Sequence, residues 1–280
     1  MLGLLSARER MVKAFHTAME APTEAHILAE TQLCFDYMKA LGMSDGQLSI
    51  WQNHRRRLHQ TRNVIETALA DRTVDTVVDI GANMIFLPMW RHMLPNARLV
   101  LGIDESQALH LRQCGEVIDA YHGDFEIDAI PLADESVDLV TMFEVFEHFY
   151  VDPMFVFSEV NRILRPGGLF ILSAPNSTSW RAILAAMTGY HPYQYPVYAG
   201  VGSRRHVHEP APRDLHLALT AAGFEPSVST RSCFSPAVPK EFLDFMQASG
   251  FSPYDRDDTV VAVGRKIGPV QDRKPHGLYE

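Results

Sequence analysis

Val77-Val78-Asp79-Ile80-Gly81-Ala82-Asn83 decides how this chain is read. A short β-branched run of this kind suits a strand buried on both faces, and a Gly directly after it permits a tight turn. Further on, Asp138-Leu139-Val140-Thr141-Met142-Phe143-Glu144-Val145-Phe146-Glu147-His148 repeats the layout, an apolar run that ends in carboxylates and an imidazole. Short β-branched runs alternate with helical stretches from Thr76 onward, the alternation of a parallel sheet covered on both faces. The fold class expected is α/β, a doubly wound, mostly parallel sheet with a helical N-terminal extension.

The expected strands run from Thr76 to Ile80, Arg98 to Ile103, Val117 to Tyr121, Val137 to Phe143, Gly168 to Ser173, Glu225 to Ser229 and Thr259 to Gly264, seven in all. The long excursion before the last of them suits a late strand inserted antiparallel beside its predecessor. Before Thr76 the sequence reads as helices over Ala7 to Met19, Glu24 to Leu41 and Gln47 to Ala70, broken at Pro22 and between Gly42 and Gly46. The domain expectation is therefore an extension over 1–72, a main domain over 73–267 with a lid-like insertion at 175–210, and a frayed tail over 268–280.

At 280 residues, 46% of them apolar, the chain has the composition of a soluble globular protein. No apolar run approaches the ~18 residues of a membrane helix. The start, Met1 to Ala7, turns charged at Arg8-Glu9-Arg10 without the order of a signal peptide, so a cytoplasmic protein is expected. Cys34, Cys114 and Cys233 lie far apart and form neither a zinc pattern nor a disulfide framework. A net charge of -9 disfavours nucleic acid, because backbone binding is driven by Lys and Arg. The one basic run, His54-Arg55-Arg56-Arg57-Leu58-His59, reads as a solvated helix face.

Ligands of a doubly wound sheet bind at the carboxyl ends of its strands. There stand Asp79 and Gly81 after the first strand and Asp104 after the second, an acid suited to ribose hydroxyls. Asp124 and Phe125 follow the third strand, suited to reading an adenine amino group and packing on its ring. A nicotinamide-dinucleotide site would want G-x-G-x-x-G after the first strand, and this chain offers Gly-Ala-Asn-Met-Ile-Phe.

The order of these acids, together with Ile130-Pro131-Leu132-Ala133-Asp134-Glu135-Ser136-Val137-Asp138 and Leu164-Arg165-Pro166-Gly167-Gly168-Leu169-Phe170, resembles the class I S-adenosylmethionine-dependent methyltransferases over residues 74–264. The resemblance implies a Rossmann-like fold and S-adenosylmethionine as cofactor. It places Asp79, Gly81 and Asn83 near the methionine part, Asp104 on the ribose, and Asp124 with Phe125 on the adenine. Phe143, at the end of the fourth strand, joins the cofactor set. Asn83 and Ile85 stand where the family's loop carries glycines. If Ile85 impairs the loop, Ile85→Gly should tighten cofactor binding.

Glu144, Glu147 and His148 fall at i, i+3 and i+4, which on a helical turn puts all three on one side. Two carboxylates and an imidazole so grouped can hold a divalent ion or remove a proton. The same Glu-x-x-Glu-His occurs in the metal-dependent O-methyltransferases it resembles, those acting on small-RNA ends and in ubiquinone biosynthesis. By that resemblance His206 or His208, in Arg205-His206-Val207-His208-Glu209, completes the site. The candidate catalytic residues are thus His148, Glu144, His206 and His208, and the candidate metal ligands Glu144, Glu147, His148 and His206.

The insertion, with Asn176, Trp180, Arg181 and Gly189-Tyr190-His191-Pro192-Tyr193, looks like that of bacterial methyltransferases associated with surface polysaccharides and other glycoconjugates. The function expected is O-methylation of a sugar, a polysaccharide precursor or another small hydroxylated acceptor, by a protein with no membrane partner, whose N-terminal helices either cover the other side of the cleft or form a homodimer contact. Two alternatives remain, a methyltransferase-like binding or scaffold protein with a degenerate cofactor loop, and a metal-dependent RNA 2′-O-methyltransferase.

Overall fold

The computed structural model describes residues 24–52, 54–70, 72–82, 84–192, 206–234 and 237–279. Three helices precede the first strand: α1 (Glu24–Ala40), α2 (Asp45–Gln52) and α3 (Arg55–Leu69). In α1 the buried residues Cys34, Phe35, Tyr37 and Met38, with Leu41 beyond it, recur at helical spacing and give the helix one inward face. The single helix expected from Gln47 to Ala70 is divided, with α2 ending at Gln52 and α3 beginning at Arg55. The helix expected over Ala7 to Met19 lies outside the described residues.

The strands follow: β1 (Thr76–Asp79), β2 (Arg98–Gly102) and β3 (Asp119–Tyr121), joined by a 3-10 turn at Met84–Phe86, α4 (Leu87–Met93) and α5 (Glu105–Gln113). β2 pairs in parallel with β1 and with β3. Parallel neighbours need a crossover between them, which α4 and α5 supply. Every residue of β1 is buried, as suits a strand covered on both faces.

Contacts divide the chain into two units between His122 and Gly123. The helices α1 to α3 therefore belong to the same unit as β1 to β3. Their attachment is polar as well as apolar: the Tyr37 hydroxyl and the Arg91 guanidinium (Nε to Oε2, 2.9 Å) both donate to the buried carboxylate of Glu116. The basic run on α3 is not the solvated face expected. Arg57, Leu58 and His59 are buried, and the Arg55 guanidinium lies 4.4 Å from the centre of the Phe35 ring. Burial, with the Arg57 charge second, pushes the His54 pKa down to about 4. The aliphatic stems of the arginines fill the inward stripe, so the charge pattern alone misjudged which way the helix turns.

The second unit holds β4 (Val137–Phe143), a 3-10 turn at Phe146–His148, α6 (Pro153–Ile163), β5 (Leu164–Pro175), α7 (Trp180–Met187), α8 (Pro212–Ala221), β6 (Phe224–Arg231), α9 (Lys240–Ala248) and β7 (Thr259–Lys266). β4 pairs in parallel with β5, and β7 lies antiparallel between β5 and β6, the late insertion expected. A Cβ on Gly168 would come within 2.9 Å of the Arg165 carbonyl oxygen and 3.2 Å of that of Asp138, which accounts for the second glycine of Arg-Pro-Gly-Gly. The tail does not fray. Gln271 and Asp272 donate their backbone N–H groups to the Ala221 carbonyl, Arg273 pairs with Asp152 at 2.8 Å, and the Tyr279 hydroxyl donates to the same carboxylate.

Three expectations about stability follow. Glu116→Ala leaves Arg91 buried without its partner and should lower the unfolding free energy by about 3–5 kcal/mol. Arg98→Ala, which removes the exposed pair with Asp119, should cost less than about 1 kcal/mol in the same denaturant titration. Ile85 is fully buried, so Ile85→Gly should destabilise by about 3–5 kcal/mol and should not tighten ligand binding.

Candidate functional site

In the first unit the carboxyl end of β1 brings Asp79 to a position only 2% exposed, where the Trp90 indole N–H lies 3.3 Å from its Oδ2. Gly81 turns the chain with φ +65°, a value that favours glycine, and the next N–H, of Ala82, donates to the Gly102 carbonyl at 3.2 Å. Ile85 and Phe86 then turn into the core. The side chain that replaces a glycine is thus absorbed by packing. Asn83 lies outside the described residues. Asp104 caps α5 through one carboxylate oxygen: its Oδ1 accepts from the Gln107 N–H at 3.0 Å and from the Ser106 hydroxyl at 2.5 Å. Those two hydrogen bonds, that from Ser106 foremost, lower its pKa. The group stays an anion with Oδ2 remaining for a ligand, so the cap and a ribose contact are compatible roles.

In the second unit Asp124 sits in a turn, accepting from the Glu126 N–H at 3.1 Å, and Phe125 after it is half-buried. Phe143 ends β4 almost fully buried. The next residue departs from the helical spacing assumed for the acids. Glu144 has φ +57°, and the 3-10 turn starts only at Phe146. Glu144 is held to β5 instead, its N–H donating to the Ser173 carbonyl at 2.9 Å and its Oε1 accepting from the Ser173 hydroxyl at 2.8 Å. It does not join the other two.

Glu147, His148 and His206 do come together, each offering a ligand atom within 4.8 Å of the others. Glu147 is 1% exposed, and its Oε1 lies 4.0 Å from His148 Nε2 and 3.9 Å from His206 Nε2. Phe146 anchors the turn in the core, with ring centroids 6.1 Å from Phe149 and 6.0 Å from Phe157. The Val207 N–H donates to the Glu147 carbonyl at 2.7 Å and brings His206 in. His206 Nδ1 contacts Glu209 Oε1 at 2.7 Å, which as a donated N–H leaves the Nε2 lone pair facing the cluster. His208 is separate: the Asp214 carboxylate, 3.8 Å from Nε2, raises its pKa. Chemically, the trio can accept a proton or hold a cation.

Sequence reading missed Glu126. Its buried Oε1 accepts the N–H groups of Tyr150, Val151 and Asp152 at 2.9, 2.7 and 3.1 Å, a partnership no local spacing announces. Asn176, at the start of the insertion, is 2% exposed and donates to the Asp255 and Asp257 carbonyls. It ties two loops together. No helix among the described residues is long and apolar enough to cross a membrane.

Residues 78–172 match a family described as a methyltransferase domain. The chain is 44% identical over 82 residues to a protein of Mycolicibacterium smegmatis described as a probable S-adenosylmethionine-dependent methyltransferase, a stretch covering 29% of this chain and 31% of that one. It is 24% identical over 152 residues to malonyl-acyl-carrier-protein O-methyltransferase 1 of Coxiella burnetii, 51% of this chain and 52% of that. It thus aligns with between 31% and 52% of the length of these two relatives.

Among solved structures, a methyltransferase in complex with the Haloferax volcanii Trm112 activator is similar with a TM-score of 0.52 at 19% identity, covering 80% of this chain and 95% of that one. Burkholderia thailandensis 1,6-didemethyltoxoflavin-N1-methyltransferase, solved with S-adenosylhomocysteine, gives 0.50 at 18% identity, covering 89% of this chain and 94% of that one. The shared fold is a seven-stranded mixed sheet with flanking helices. The family match begins within β1, just before Asp79, and runs into β5, so sequence likeness to a methyltransferase domain and likeness of fold fall on the same elements.

Proposed function

We propose that this protein transfers the methyl group of S-adenosylmethionine to a hydroxyl oxygen of a small acceptor, and that a sugar or polysaccharide precursor is the acceptor class. The observation that carries the reading is the buried Glu147 with His148 and His206 just beyond the carboxyl end of β4. Attack on a sulfonium carbon in line with the departing thioether forms the oxygen–carbon bond as the carbon–sulfur bond breaks. The sulfonium charge is discharged, and the hydroxyl proton must go to a base. His148, half-buried at the edge of the cluster, takes that proton, and Glu147 stabilises the imidazolium that results.

The cofactor's parts have suitable partners. Asp104 offers Oδ2 to the ribose, Gly81 allows close approach of backbone to the methionyl group near Asp79, and Asp124 with the half-buried Phe125 suits the adenine. The trio also fits a divalent cation, being one carboxylate and two imidazoles, one of them oriented by Glu209. Such a cation would act as a Lewis acid that makes an acceptor hydroxyl easier to deprotonate. The exposed Arg181, Tyr190 and His191 offer an apolar face and donors of the kind a sugar ring takes, which supports the acceptor class.

Calorimetry with S-adenosylhomocysteine tests the reading at its base. The wild type should bind, and Asp104→Ala should weaken binding roughly 10- to 100-fold through loss of a charged hydrogen-bonding partner. A wild type that binds neither S-adenosylmethionine nor S-adenosylhomocysteine would leave a scaffold protein of this fold. Transfer of labelled methyl to a panel of nucleotide sugars then tests the acceptor, with none labelled arguing against the sugar class. Paramagnetic resonance of added Mn²⁺ addresses the cation. Uptake by the wild type that is lost in Glu147→Gln supports it, whereas activity unchanged by chelators assigns proton removal to His148 alone.

A further inference from the structure

Glu126 is the most deeply buried carboxylate in the second unit outside the Glu147 cluster, at 2% exposure, and the reaction just described gives it no part. One of its oxygens accepts three successive backbone N–H groups, those of Tyr150, Val151 and Asp152. The other, Oε2, is buried without a hydrogen-bond partner. Keeping a carboxylate there opposes stability, because a buried acceptor left unmade forfeits its hydration. What the carboxylate does is fix a turn. Tyr150 to Asp152 directly follow the 3-10 turn that carries Glu147 and His148, and Phe149 between them is buried and bonded back to the Phe146 carbonyl at 3.1 Å. Beyond the turn, Asp152 caps α6 at the Met154 N–H and pairs with Arg273 and the Tyr279 hydroxyl of the tail.

We infer that Glu126 is a positioning residue for the Glu147–His148–His206 cluster, acting through the three N–H groups of Tyr150 to Asp152. The stretch of chain that bears Asp124 and Phe125 thereby also sets the orientation of His148. Glu126 touches neither cofactor nor acceptor in this account. The inference rests on the reading of the cluster as the chemistry site, but its geometry is testable without turnover.

The experiment uses the full chain labelled with ¹⁵N, the His148 imidazole resonance being assigned with a His148→Gln variant and that of His206 with a His206→Gln variant. Glu126→Gln retains size and removes the charge. It should raise amide exchange at residues 150–152 by roughly tenfold or more, as charge-assisted bonds become neutral ones, and should shift or broaden both imidazole resonances. Faster exchange with unmoved imidazoles would show a purely structural carboxylate and overturn the inference. Unchanged exchange would overturn it too, since Glu126 would then not hold the turn. If Glu126→Gln does not fold, Glu126→Asp, which keeps the charge at shorter reach, is judged by the same two readouts. A wild type that fails to bind S-adenosylhomocysteine would sink the proposed activity and leave these outcomes readable.

Discussion

A parallel strand buried on both faces can carry polar chemistry only where it ends. β1 and β4 are apolar runs of that kind, and their carboxyl ends are where Asp79 and the Glu144–His148 stretch appear. The constraint also explains how the chain keeps carboxylates in poorly hydrated places. Asp79 has the Trp90 indole beside it, Glu116 has Arg91 and Tyr37, and Glu126 has three backbone N–H groups. Each is a buried acceptor given donors by a neighbouring element, because burial without them would cost more than the fold can spare.

The turn after β4 shows how local conformation sorts residues that spacing treats alike. Had the helix-like spacing held from Glu144, three acidic and basic groups would share one face. The left-handed φ at Glu144 sends that carboxylate to Ser173, while Phe146 drives into the core and leaves Glu147 and His148 to meet His206. A non-glycine residue in that region is uncommon and persists when its surroundings over-determine it. Here the backbone and side chain of Ser173 both hold it. A strained residue thus separates a carboxylate that supports the sheet from one that belongs to the cluster.

Much of this was legible in the amino-acid order. β4 begins and ends at the expected residues, and β7 lies antiparallel beside β6, because strand runs bounded by turn residues leave little freedom. Of the residues read as one cluster, Glu147, His148 and His206 lie together. What escaped depended on partners distant in sequence. Glu126 needs the loop at Tyr150, the tail needs Asp152 and Ala221, and the arginines of α3 turn inward only because Phe35 and Phe86 are there to receive them. Ile85, by pattern an obstacle in a glycine loop, is a core residue once the following 3-10 turn is seen.

The central claim is that His148, in the cluster after β4, takes the proton of a hydroxylated acceptor. A crystal structure with S-adenosylhomocysteine and a hydroxylated acceptor tests it most directly. The account predicts the acceptor oxygen in hydrogen-bond reach of His148, within about 3.2 Å. Cofactor bound with the acceptor oxygen remote from His148 and His206 would contradict it.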